Sequence, residues 1–137
     1  GIDDVIRSHE GALIVIGDGP EVLNISSGLG RRAMASQAGY CAAKAAMDHF
    51  TRCVALEEAL KQHGAKVCSL APGVIDTDMQ VQLRGAPDNS FPDKANFVGM
   101  KQSGALTSPQ EAAGRLTAYL ARADFGSNPV GDVRDPA

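Results

Sequence analysis

Ser27, Tyr40 and Lys44 carry side chains, at a spacing, suited to moving a proton to or from a substrate oxygen. Tyr40 and Lys44 are four residues apart, which on a helix puts their Cβ atoms about 5–6 Å from one another on one face. An ammonium that close favours the phenolate and draws the phenol below its ordinary pKa of about 10. A tyrosine tuned in this way passes a proton near neutral pH. Ser27 ends the apolar stretch Asn24-Ile25-Ser26-Ser27 and offers a hydroxyl to the same substrate oxygen. A tyrosine–lysine pair alone is a common helix feature. A serine thirteen residues before the tyrosine, with Pro72-Gly73-Val74-Ile75-Asp76-Thr77 after the next strand, is far more specific.

The elements that must position these groups are legible around them. Gly11–Gly17 is a short branched-residue run and predicts a strand, followed by the turn signal Asp18-Gly19-Pro20. Glu21–Ser27 predicts the next strand. Gly28–Arg32 opens a loop in which Arg31 and Arg32 read as solvated rather than phosphate-binding. From Ala38 to His63 the pattern is helical, with Ala43, Ala46, Met47, Phe50, Cys53, Val54 and Leu60 as its apolar recurrence and Glu57–Lys61 as an i,i+4 pair. Gly64 suits the helix end. Lys66–Ala71 predicts a strand closed by Pro72-Gly73.

Strand, helix, strand in that order makes a βαβ unit with parallel strands. Ligands of open parallel sheets bind beyond the carboxyl ends of the strands. Topology therefore gathers Ser27, the first turns of the helix and Gly73 at one crevice. Further on, Asp76-Thr77-Asp78 reads as a helix start, and residues 85–107 as a long irregular segment suited to a lid. Ser108-Pro109-Gln110-Glu111 is a capping box opening a helix to about Ala123, and Val130–Val133 is a last short strand.

Composition bounds the partners. The 137 residues suit one domain or part of one, and 44% hydrophobic content is enough for a packed core. A net charge of −3, with no basic run, argues against nucleic acid and anionic membrane as partners. No apolar run reaches the roughly 18 residues of a membrane span. Cys41, Cys53 and Cys68 have no metal-ligand spacing and read as buried free thiols in a reducing cytoplasm. His49 and His63 read as surface residues, and no metal site is expected.

Together, Ser27, Tyr40, Lys44 and the Pro72–Thr77 segment resemble the short-chain dehydrogenase/reductase family. Within it, Tyr40–Ala46, Leu56-Glu57-Glu58, Ala71–Gln80 and Asp132 are similar to the branch that holds sepiapterin reductases and bacterial benzil reductases. The resemblance implies an α/β, Rossmann-type doubly wound parallel sheet and NADPH-dependent reduction of a small ketone, diketone or pterin side chain, with NAD the alternative cofactor. It implies Tyr40 as proton donor, Lys44 on the ribose hydroxyls, and Ser27 on the carbonyl. It implies Gly73, Val74, Ile75 and Thr77 around the nicotinamide carboxamide, Asp132 as a substrate anchor, and a homo-oligomer formed through the Tyr40–Lys44 helix.

The match covers residues 21–137, leaving 1–20 as an unassigned lead. The family's amino-terminal half, with its glycine-rich turn, has no counterpart in the chain. A carboxy-terminal half-domain is thus expected, with a bare strand edge and an exposed apolar face. Two functional classes follow: a carbonyl reductase carried by the intact Ser27, Tyr40, Lys44 set, or a non-catalytic truncated half that binds or dimerises.

Overall fold

Lys66–Ala71 is apolar or small on both faces, and only its first residue is exposed. A strand of that kind belongs in the middle of a sheet covered on both sides. In the computed structural model, which describes residues 12–16, 20–73 and 107–137, it is β3 of a four-stranded sheet in the order β1-β2-β3-β4. β2 (Pro20–Ile25) runs parallel to β3, with Glu21 opposite Lys66 and Ile25 opposite Leu70. β4 (Val130–Asp132) is parallel on its other side, with Ala71 opposite Asp132. β1 (Ala12–Ile16) pairs antiparallel with β2, from Ala12–Asn24 to Ile16–Pro20.

Helices cover both faces. α1 (Ala38–Ala59) joins β2 to β3, and α2 (Pro109–Leu120) precedes β4. Strand side chains alternate between the faces. Val22 and Val67 pack with Val54 of α1 and with Ala65. Leu23, Cys68 and Leu70 point the other way and pack with Tyr119 and Leu120 of α2 and with Phe125. Each of the valines, leucines and the phenylalanine contributes about 1.5–3 kcal/mol on full burial. The Ser108 hydroxyl caps α2 by accepting from the Glu111 amide at 3.1 Å, with Pro109 in the first turn. The parallel core with helices on both faces is the expected Rossmann-type arrangement.

Several expectations are corrected. β2 ends at Ile25, not Ser27: Ser26 still donates its amide to the Leu70 carbonyl, but Ser27 turns away to cap a 3-10 turn over Gly28–Gly30. β1 lies along the edge of β2 away from β3, so among the described residues the open edge on that side of the sheet belongs to β1. α1 stops at Ala59, four residues before His63, because the Leu60 and Lys61 amides close tighter bonds to Glu57 and Glu58.

The buried stripe of α1 is Met47, Asp48, Thr51, Val54 and Glu58, more polar than the apolar recurrence suggested. Ala43, Ala46, Phe50, Cys53 and Leu60 are exposed, since α1 lies on a sheet face that presents Asn24, Ser26 and Ser69. Lys61 pairs with Glu58 at 2.7 Å rather than with Glu57. Of the cysteines only Cys68 is buried; Cys41 is half-buried and Cys53 exposed. The helix start at Asp76–Asp78 and nearly all of the 85–107 segment lie outside the described residues.

Candidate active site

The site forms where β2 and β3 end and α1 begins. Tyr40 is the third residue of α1, and its half-buried ring packs beside Leu29 of the 3-10 turn and Met34. One helical turn on, Lys44 holds its Nζ 5.7 Å from the centre of that ring. The same ammonium donates to the Ile25 carbonyl, the last of β2, at 2.9 Å. Burial draws the Lys44 pKa below its ordinary value, and the Asp48 carboxylate opposes that shift. Ser27, two residues beyond Ile25, accepts from the Leu29 amide at 3.1 Å. That bond uses one of the two lone pairs of the hydroxyl and leaves its O–H as a donor.

Gly73 follows the end of β3 with φ +80°, and a Cβ built there would meet no described residue within 4 Å. That left-handed backbone suits glycine. Val74, Ile75 and Thr77 fall outside the described residues. Asp132 ends β4, in register with Ala71. Its carboxylate is gripped by Arg134, at 2.8 Å from Nε and 2.7 Å from Nη2, and also accepts the Arg134 amide at 2.9 Å. The Arg134 bond holds the Asp132 carboxyl below the ordinary carboxylate range.

Two residues given no site role in the sequence analysis, Asp48 and Arg31, hold this corner together. Asp48, 2% exposed, accepts from Ser26 Oγ at 2.5 Å and Ser69 Oγ at 2.7 Å through Oδ1, and from Arg31 Nε at 3.3 Å through Oδ2. Arg31 also donates to the carbonyls of Gly131 at 2.9 Å and Ser69 at 3.3 Å. Arg31 is an exposed loop residue, as expected, yet its guanidinium also bridges α1, β3 and β4. A signal for Asp48 was present in its position four residues after Lys44, on the Tyr40–Lys44 face of one helix. Among the described residues, no cluster of His, Cys, Asp and Glu could hold a metal ion.

The family model for short chain dehydrogenases matches residues 12–88, a span that holds Ser27, Tyr40, Lys44 and Gly73. The chain belongs to the short chain dehydrogenase family. A benzil reductase ((S)-benzoin forming) of Bacillus cereus is 38% identical over 112 residues, covering 82% of this chain and 44% of that protein. The benzil reductase of Bacillus subtilis is 33% identical over 99 residues, covering 72% and 41%. A solved short chain dehydrogenase/reductase from Saccharomyces cerevisiae superposes with a TM-score of 0.69 at 28% identity, over 85% of this chain and 46% of that one. This short chain dehydrogenase sequence thus spans less than half the length of the relatives it matches.

Proposed function

We propose that the chain forms the substrate and nicotinamide end of an NADPH-dependent carbonyl reductase, acting on a small ketone, diketone or pterin side chain. The observation that carries this reading is the Lys44 ammonium, shared between the end of β2 and the face of Tyr40. It ties the proton-donating helix to the strand that presents Ser27.

The residues present fit the nicotinamide–ribose end of the cofactor. Lys44 has two further N–H donors beyond the one given to Ile25, which suit the ribose hydroxyls. The left-handed backbone at Gly73 suits a carboxamide, and the resemblance assigns Val74, Ile75 and Thr77, outside the described residues, to the same group. The chain carries no G-x-G-x-x-G turn for a pyrophosphate. NAD is the alternative cofactor.

A nicotinamide held by Lys44 and the Gly73 backbone would supply the hydride for the carbonyl carbon. Ser27 donates its O–H to the carbonyl oxygen and fixes the carbonyl in place. Tyr40 gives its phenolic proton to that oxygen as it gains charge, completing the alcohol. Lys44 stabilises the phenolate left behind. Asp132, at the same sheet end, serves as the substrate anchor once its carboxylate is shared between Arg134 and the substrate.

The exposed apolar side of α1 supports a homo-oligomer. Leu56 and Leu60, at its carboxyl end, are 73% and 89% exposed, and Ala42, Ala43, Ala45 and Ala46 are exposed toward its start. The free thiols of Cys41, Cys53 and Cys68 are consistent with the cytoplasm as its compartment. No helix among the described residues is long and apolar enough to cross a membrane.

The deciding experiment is a fluorescence titration of the 137-residue chain with NADPH, with Lys44→Ala beside it and benzil as the carbonyl. Saturable binding that the substitution weakens, with benzil-dependent NADPH oxidation, supports the reading. No binding at millimolar cofactor moves the chain to the non-catalytic class.

A further inference from the structure

Asp48 takes no part in the proton transfer described above, yet its burial demands a reason. Removing a carboxylate from water costs several kcal/mol even after the protein relaxes around it. Here the cost is offset by three donors from three separate pieces of chain: Ser26 at the end of β2, Ser69 within β3, and Arg31 in the loop before α1.

The order of these donors along the chain is informative. Ser26 immediately precedes Ser27, and Arg31 closes the turn that Ser27 caps, donating its amide to the Gly28 carbonyl at 3.1 Å. Between them the turn lies directly on α1. A Cβ on Gly30 would stand 2.9 Å from Asp48 Oδ2 and 3.0 Å from the Lys44 carbonyl carbon. Ser27 is therefore held from both sides by links that end on one carboxylate, and that carboxylate sits one helical turn from Lys44.

We infer that Asp48 is a positioning residue: by gripping the chain on both sides of Ser27, through Ser26 and Arg31, it sets the Ser27 hydroxyl against Tyr40 and Lys44. The chemical consequence rests on the carbonyl-reductase reading; the geometric one does not. Ser26→Ala and Asp48→Asn each cut the grip. Thr51→Val serves as the control, because it removes a buried bond of the same layer, Asn24 Nδ2 to Thr51 Oγ1 at 3.2 Å, without touching the turn.

The test is NMR of the whole chain, reading the Hα–Hβ couplings of Ser27 and hydrogen exchange of the Leu29 amide that Ser27 Oγ accepts. Ser27 is expected to lose its single rotamer, and Leu29 to exchange at least about tenfold faster, in Ser26→Ala and Asp48→Asn. Both readings stay parental in Thr51→Val. Where the parent reduces benzil, kcat is expected to fall on the order of 100-fold in Asp48→Asn, as a misplacement of about 1 Å produces, with the NADPH Kd unchanged. A Ser27 rotamer that survives both substitutions overturns the inference, as does one lost equally in Thr51→Val. Should Asp48→Asn not fold, Ser26→Ala decides. A parent without turnover removes the reductase reading and leaves the NMR comparison standing.

Discussion

The ammonium of Lys44 donates to the carbonyl oxygen of Ile25 at 2.9 Å. This one bond fastens the helix that carries Tyr40 to the last residue of the strand that leads to Ser27. It also places a charged group where burial disfavours the charge, with Asp48 one turn away to oppose that effect. Three expectations of the site, a strand end, a helix face and a cation, meet in it.

Lys44 should leave a signature in the pH dependence of stability. Its folded pKa lies below the ordinary 10.5, so the unfolded chain holds the proton more tightly than the folded one. Stability contributed by this group therefore rises with pH across the window just below 10.5. Urea midpoints of the parent and Lys44→Met, followed from pH 8 to 11 (the range about that window), are expected to differ by an amount that grows in the parent's favour as pH rises. A constant difference would remove the assignment.

Glu58 titrates with the opposite sign. Its Oε1 accepts from Lys61 at 2.7 Å and its Oε2 from the buried Ala65 amide at 3.0 Å. Those bonds hold its carboxyl below 4.5. The stability it contributes is present above that value and is lost as pH falls through the folded pKa. Glu58→Ala is expected to cost about 2 kcal/mol near neutrality, since it also orphans the Ala65 amide. Chemical unfolding should show the gap closing in acid.

Thiol reactivity should sort the cysteines by position. Cys53 is exposed and Cys68 is buried, and burial pushes the Cys68 thiol up to about 11. A thiolate-selective reagent at neutral pH is expected to label Cys53 first and to reach Cys68 only on unfolding. Mass spectrometry of the labelled peptides reads the order. Early labelling of Cys68 would contradict its place under α2.

Gly131 and Tyr119 should be coupled. A Cβ on Gly131 would stand 2.6 Å from the Tyr119 hydroxyl, too close for an ordinary contact. Gly131→Ala is expected to cost about 1–3 kcal/mol by overpacking. Tyr119→Phe removes the clashing oxygen, so the double variant should recover most of that loss. Additive costs in thermal unfolding would refute the contact.

Much of the fold was legible because hydrophobic periodicity is a local property. Lys66–Ala71 is a strand with the bounds expected, α1 starts at Ala38 as read, and the Ser108 cap opens α2 as its capping box implied. The ends were less legible. Ser27 left its strand because its hydroxyl found the Leu29 amide, and such local side-chain bonds compete with the ladder. The face of α1 was misjudged for a tertiary reason: the sheet beneath it offers Asn24, Ser26 and Ser69, so polar Asp48 and Thr51 were drawn inward and Phe50 and Leu60 left outside.

The sequence by itself determined the types and spacing of Ser27, Tyr40 and Lys44, the strand–helix–strand order that makes β2 and β3 parallel, and hence the sheet end at which these groups collect. Spacing along a helix and the handed connection of parallel strands are consequences of local geometry, so they can be read without coordinates. Only the tertiary structure decided that β1 would pair with the outer edge of β2, that Asp132 would bind Arg134, and that Arg31 would reach 100 residues along the chain to the Gly131 carbonyl. It likewise decided that Asp48 would be the buried anchor of the Ser27 turn. A buried charge is stable only where donors from distant segments converge on it, and that convergence is a property of the packed chain.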